Sequence, residues 1–228
     1  MPLTWKGVTE SELMKADLHI HTEYSLDCTT PLDDIIARCL EMEINCVAIA
    51  DHGTVEGALK MQDMAPFTVI VAEEILTPYG EIMGMFLKET VPNDLSVEQT
   101  IARIRAQDGL VCIPHPYDKF RPSALREKVL VEIAGDIDIV EVFNARCPLL
   151  RSSAKAKTFA EKHGLAQSAG SDAHTINEIG NAYVAIPEFN GKKDFLQALA
   201  RGKITGHRTN PLAHFGSVWA KLKSHHWG

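Results

Sequence analysis

Eight short apolar runs punctuate this chain, at residues 16–21, 46–51, 68–75, 81–87, 110–115, 137–143, 165–170 and Ala182–Ile186. Runs of this length between turn residues read as strands. The first, second, third, fifth and seventh finish at or just before a histidine or a carboxylate. Polar residues that recur at the same end of successive strands need a fold that gathers those ends. Two segments make the point most sharply: Asp17-Leu18-His19-Ile20-His21 and Gly170-Ser171-Asp172-Ala173-His174 each carry two metal-preferring side chains at i and i+2. On a strand that spacing puts both on one face.

Helical patterns lie between most of the runs. Residues 32–42 place apolar side chains at 35, 36, 39 and 40, and Thr30-Pro31 ahead of them supplies an N-cap and a first-turn proline. Ser96 opens a segment reaching 107 with Val97, Ile101 and Ile104 as its stripe. Residues 151–163 end at Gly164, suited to a left-handed position after a helix, and 192–201 end similarly at Gly202. The alternating order predicts a mainly parallel sheet with helices outside it. Pro78-Tyr79-Gly80 predicts one hairpin.

In an open sheet, site residues gather near one switch point. In a barrel, every C-terminal strand end faces a common mouth. Contributions from so many strands favour a barrel. No linker, repeat or charge block divides the chain, so residues 1–228 are expected to form one α/β domain. Residues 211–228 hold His214, Phe215, Val218, Trp219 and Leu222 at helical spacing. They predict an amphipathic helix packing on the domain or on a second subunit, with His225-His226 as a tail.

The net charge of −7, with no Lys/Arg run, excludes a general nucleic-acid binder but not a nucleotide substrate. Five cysteines without a C-x-x-C pair fit a reducing compartment, Cys46 and Cys112 reading as small core residues. The first 15 residues hold no apolar leader core, and no stretch approaches the ~18 apolar residues of a membrane span. A cytoplasmic protein without a membrane partner is expected.

The candidate donors, in chain order, are His19, His21, Asp27, Asp51-His52, Glu73-Glu74, His115, Glu141, Asn144, Asp172 and His174. Imidazole and carboxylate suit zinc, manganese and iron, and this set exceeds the needs of one tetrahedral ion. Each residue has a plainer reading alone. Asp51 can cap the helix that follows, Glu73-Glu74 can be a solvated strand end, and Pro114-His115-Pro116 can be a rigid turn. Those readings would have to hold independently at five strand ends.

Taken as an ordered set, these residues resemble the PHP (polymerase and histidinol phosphatase) family, particularly its small stand-alone phosphoesterases. The matching motifs are Asp17-Leu-His-Ile-His21 with Ser25 and Asp27, Ala50-Asp-His52, Glu73-Glu74-Ile75, Pro114-His-Pro116, Glu141-Val-Phe-Asn144 and Gly170-Ser-Asp-Ala-His174. The resemblance spans residues 16–210 and implies a distorted (β/α)7 TIM-like barrel. It implies two or three divalent ions, Mn, Fe or Zn, at the C-terminal mouth. By position, His19, His21, Glu74 and Asp172 would hold one ion. Glu74 would bridge to a second held by His115, and Asp27, His52 and His174 would hold a third.

Ala72 stands where the family usually has Gly, which leaves open whether Glu73 or Glu74 bridges; strand alternation admits one, and Glu74 is chosen. A further ligand of the second ion is a histidine in some relatives, and here Asn144 and Glu141 are the nearest candidates. Nucleotide-specific relatives carry a helical insertion between the third and fourth motifs; here Glu74 and His115 are only 41 positions apart.

The implied reaction is hydrolysis of a phosphate mono- or diester by a hydroxide bridging two ions, with Glu74 and His115 central to it. The substrate would be a small phosphorylated molecule, a nucleotide or oligonucleotide end among the candidates. Arg121, Arg146 and Arg208 are candidate phosphate-binding cations, and His207 either protonates the leaving oxygen or sits on the surface. Two rivals stand: an amidohydrolase-type metal hydrolase, which also begins with H-x-H, and a non-catalytic metal-binding PHP module.

Overall fold

The computed structural model describes residues 13–209. In chain order they form β1 (Met14–Ile20), α1 (Leu32–Glu41), β2 (Cys46–Ile49), α2 (Glu56–Met64), β3 (Thr68–Thr77) and β4 (Gly80–Met85). Next come α3 (Val97–Ala106), β5 (Leu110–Ile113), α4 (Glu127–Glu132), β6 (Ile139–Asn144) and α5 (Leu150–His163). The described chain ends with β7 (Ala166–Gly170), β8 (Ala182–Ile186), α6 (Gly191–Ala200) and β9 (Lys203–Gly206). The helix expected at 211–228 lies outside the described residues.

The sheet runs β7-β6-β5-β4-β3-β2-β1-β8-β9. Strands β1 to β7 curl until β7 returns to β1. The His21 N–H donates to Ala173 O at 3.0 Å, and the Asp172 N–H to His19 O at 2.8 Å. Gly170 permits this approach, because a Cβ there would stand 2.3 Å from His19 Cβ. The result is the expected nearly closed, seven-stranded barrel in a single α/β domain. Strand β4 is antiparallel to β3 and β5, as the predicted hairpin requires. Strand β8 pairs antiparallel with the start of β1, and β9 extends beyond it. Strand β9 was not foreseen: it is mostly exposed, with Ile204 its one apolar residue.

Strand alternation divides the core in two. Ala16, Cys46, Ala48, Ala50, Ala72 and Ala169 belong to the inner cluster, small side chains that suit a narrow barrel. Phe195, Ala198 and Leu199 of α6 join the same cluster. The opposite strand faces, such as Val47, Ile49, Val69 and Val71, pack with Ile35 of α1 and Ile104 of α3.

Helix ends follow local chemistry. Ser96 and Gln99 form a reciprocal capping box at α3, worth about 1 kcal/mol. Gly164 closes α5 at φ 66°, in the left-handed region. Two expectations need correction. Pro31, not Thr30, occupies the N-cap position of α1, and the Thr30 hydroxyl instead donates to His174 O at 3.2 Å. Helix α6 ends at Arg201 in a right-handed conformation; Gly202 serves close packing, since a Cβ would lie 2.5 Å from Val184 Cγ1.

Candidate metal centre

Simple alternation aims three donors into the barrel mouth. On β2 the inner residues Cys46, Ala48 and Ala50 lead on to His52, and on β3 Ile70 and Ala72 lead to Glu74. Glu73 therefore faces outward, where its Oε2 accepts the Val91 N–H at 2.8 Å. On β4 the inner Met85 and Met83 lead back to Glu81.

Elsewhere the backbone departs from regularity to reach the same point. The inner residues of β1, Ala16 and Leu18, have the opposite parity to His19 and His21. A register shift between Asp17 and Ile20 reverses the alternation there. A second, between Glu141 and Phe143, lets both Glu141 and Asn144 serve the mouth. His115 and Asp172 follow their strands at φ 31° and φ 56°. A left-handed backbone costs a non-glycine residue on the order of 1–3 kcal/mol, so packing must hold it.

Four sets of donor atoms result, the atoms of each set lying within 4.8 Å of one another: His19/His21/Asp172, His19/Glu74/His115, His52/Glu74/Glu81 and His21/Asp27/His52/His174. Glu74 lies at their centre. Its Oε1 is 2.6 Å from His115 Nε2, while Oε2 is 3.4 Å from His19 Nε2 and 3.5 Å from both His21 Nε2 and His52 Nδ1. Asp172 Oδ1 is 3.4 Å from His21 Nε2. Asp27 Oδ2 stands 3.2 Å from His174 Nε2 and 3.5 Å from His52 Nε2. Glu81 is 3.6 Å from His115 Nε2 and 3.8 Å from His52 Nδ1.

The residues fit divalent cations on two grounds. Glu74 Oε2, Glu81 Oε2 and Asp172 Oδ1 are buried without a hydrogen-bond donor, which is costly for charged oxygen. His19 Nε2 and His21 Nε2 are 3.1 Å apart and share at most one proton between them. Cations bound by these lone pairs would relieve both, and the nitrogen–oxygen donor set suits Zn, Mn and Fe.

Electrostatics agree. Burial favours a neutral His19, yet Asp172, Glu74 and Glu141 outweigh it and raise its pKa well above the usual value. Burial likewise opposes charge on His52, but Glu74 and Asp27 bring its pKa up to about 9. His21 is pushed down to about 3 by burial and by neighbouring His174. Burial would raise Glu74, but the surrounding histidines hold it well below the carboxylate range. Glu81 rises through burial and the nearby charge of Glu74. Without cations, protons on the rings thus partly offset a dense set of carboxylates.

Supporting contacts fix the donors. Glu141 Oε1 is 3.1 Å from His19 Nδ1, and its Oε2 accepts the His115 N–H at 2.7 Å. Asn144 donates to Glu141 Oε2 at 3.0 Å and to Asp172 Oδ2 at 3.1 Å, while its Oδ1 accepts the N–H groups of Arg146 and Cys147. Asp51 accepts from Thr22 N and Thr22 Oγ1; Val55 is the N-cap of α2, so the expected capping role does not hold.

The expected cations separate. Arg121 reaches the cluster and donates to Asp172 Oδ2. Arg146 is buried, 3.1 Å from Glu178 Oε1 and 2.7 Å from His174 Nδ1. Arg208 donates to main-chain oxygens of Asn144, Cys147 and Leu149, and His207 is exposed just past β9. Sequence reasoning missed Glu81 and Glu178 as site residues. Alternation back from Met85 and Met83 was the signal for Glu81.

Residues 17–85 match the family model of the PHP domain, and residues 151–204 that of the PHP-associated segment. MJ0417, an uncharacterized protein of Methanocaldococcus jannaschii, is 36% identical over 183 residues, covering 79% of this chain and 73% of the relative. A two-domain protein of Bacteroides vulgatus, described as containing a predicted PHP-like metal-dependent phosphoesterase, superposes with TM-score 0.68 at 16% identity. That match covers 86% of this chain and 65% of the longer neighbour. A Bifidobacterium adolescentis protein named for a proposed metal-dependent phosphoesterase activity gives 0.63 at 16% identity, over 82% and 96% of the two chains. At such identities the two solved structures speak for the fold. Joined to the archaeal relative and to motifs running in order from Asp17 to His174, they support one conclusion: the chain belongs to the PHP family.

Proposed function

We propose that this chain hydrolyses a phosphate ester of a small molecule, with two or three divalent ions of Mn, Fe or Zn held at the barrel mouth. Glu74 is the observation that carries the reading. It belongs to two donor sets, and its two oxygens face different rings, as a carboxylate shared by neighbouring ions must. His19, His21, Asp172 and Glu74 would hold one ion; Glu74 and His115, with Glu81, a second; and Asp27, His52 and His174 a third.

Ions held there lower the pKa of coordinated water towards ~7 and offset phosphate charge. The chain's own residues supply position and charge. Arg121, which donates to Asp172, would donate to phosphoryl oxygens in the fork geometry that guanidinium favours. Asp172 holds that guanidinium in place, and Glu141 orients His19 and the His115 backbone. No helix among the described residues is long and apolar enough to cross a membrane. The five buried free thiols support a reducing, cytoplasmic setting as part of this proposal.

The test is release of p-nitrophenolate from p-nitrophenyl phosphate and from its bis ester by Mn²⁺-loaded protein. Release from either supports the reading, and release from the bis ester alone makes the substrate a diester. No release from either by protein with full metal content overturns it in favour of the non-catalytic module.

A further inference from the structure

A cavity of roughly 610 Å³ opens beside the donor cluster between the segment leaving β5 and the starts of α4 and α5. It adjoins the cluster directly. Tyr117 in its wall lies two residues past His115, and Arg121 both lines it and donates to Asp172. Leu125 and Leu149 make its lining partly apolar.

Lys119, Arg151 and Lys155 also line it. Lys155 is shared with Glu127 at 3.7 Å and lies over the Tyr117 ring. Lys119 and Arg151 are exposed and have no ion-pair partner among the described residues. The other acid present, Asp118, is buried and accepts the Phe120 N–H at 3.0 Å. Helix α5 starts at this wall with no side-chain cap and no acid in its first turn, so the positive end of its dipole faces the cavity unopposed by an acid of its own. Two unpaired cations, Lys119 and Arg151, thus stand beside a candidate phosphate site in a chain of net charge −7.

We infer that this cavity binds a second anionic group of the substrate, a phosphoryl or carboxylate joined to the scissile phosphate by an apolar spacer. The position assigned to the scissile phosphate rests on the phosphoesterase reading; the cavity's charge does not. Hydrolysis and recognition are therefore separable by experiment.

Calorimetry on Mn²⁺-loaded protein would compare alkylphosphonates with alkanebisphosphonates and carboxyalkylphosphonates of graded length. At one spacer length a two-anion probe is expected to bind on the order of tenfold more tightly than its one-anion counterpart. The larger gain, phosphono or carboxy, identifies the second group. Lys119→Ala combined with Arg151→Ala should erase the ratio, and Glu127→Gln, which frees Lys155, should widen it. Equal binding of one- and two-anion probes at every length, or a ratio untouched by the double substitution, overturns the inference. Discrimination that persists in protein unable to hydrolyse p-nitrophenyl phosphate would sink the phosphoesterase reading and leave the cavity's role standing.

Discussion

Glu74 Oε1 lies 2.6 Å from His115 Nε2, while the other oxygen of Glu74 faces His19, His21 and His52. One carboxylate, at the mouth end of β3, therefore connects donors from three other strand ends. Glu74→Gln is expected to abolish tight binding of at least one ion and to cut hydrolysis by more than the 10–100-fold typical of an outer-shell change. Glu141→Gln, which touches His19 and the His115 N–H from behind, should fall within that 10–100-fold range. Metal content by mass spectrometry and initial rates on p-nitrophenyl phosphate check both; equal effects would deny Glu74 its bridging place.

Glu81 stands 3.6 Å from His115 Nε2, beside the ion assigned to Glu74 and His115, and its atoms also lie within reach of His52. Glu81→Gln should lower the bound metal by about one equivalent while leaving the His19/His21/Asp172 set loaded. Bound metal after gel filtration measures this. An unchanged metal count with normal rates would remove Glu81 from the centre.

Ion binding should expel protons. His52 is held at about 9, so its ring is protonated near pH 7.5 in the ion-free protein, and the carboxylates around His19 shift that ring in the same direction. Binding requires neutral imidazole, so loading should release protons, about one per chain from His52 and more as His19 gives up its own. Calorimetry in buffers of different ionisation enthalpy counts them, and no buffer dependence would contradict the arrangement.

Asp51 carries an unusual pH signature. Burial raises its pKa from 3.8 to about 6, against hydrogen bonds from Thr22. The folded state then binds more protons than the unfolded state between about pH 4 and 6, so stability from this group falls as pH rises through that window. At most roughly 3 kcal/mol is involved. Asp51→Asn should flatten that component, seen in urea titrations of chelated protein at pH 4 and 7. A wild-type-minus-variant difference that stays constant with pH would refute it.

The site was legible wherever a strand keeps its alternation. Ile70, Ala72 and Glu74 share one face of β3, so choosing Glu74 over Glu73 required only a period of two. His52 follows from Ala48 and Ala50 in the same way. His19 and His21 rested on residue type and family pattern, because the register shift in β1 carries no glycine or proline to announce it. Asn144 was proposed as a donor and stands as a hydrogen-bonding partner of Asp172 and Glu141, while the further carboxylate near His115 comes from Glu81. An acid just after a hairpin turn looks solvated in sequence, and only the inward Met83 and Met85 betray its direction. Glu178 carried a local signal in the Thr175-x-x-Glu178 capping box, which also takes the His174 N–H, but its contact with Arg146 exists only once the loops meet.

The most direct test is a titration of chelator-stripped protein with Mn²⁺, following bound metal and p-nitrophenyl phosphate hydrolysis together. Hydrolysis should be absent in stripped protein, appear only beyond the first bound equivalent and level off at two or three per chain. Full hydrolysis in stripped protein, or none in protein saturated with two or more ions, would contradict a shared-carboxylate centre built on Glu74.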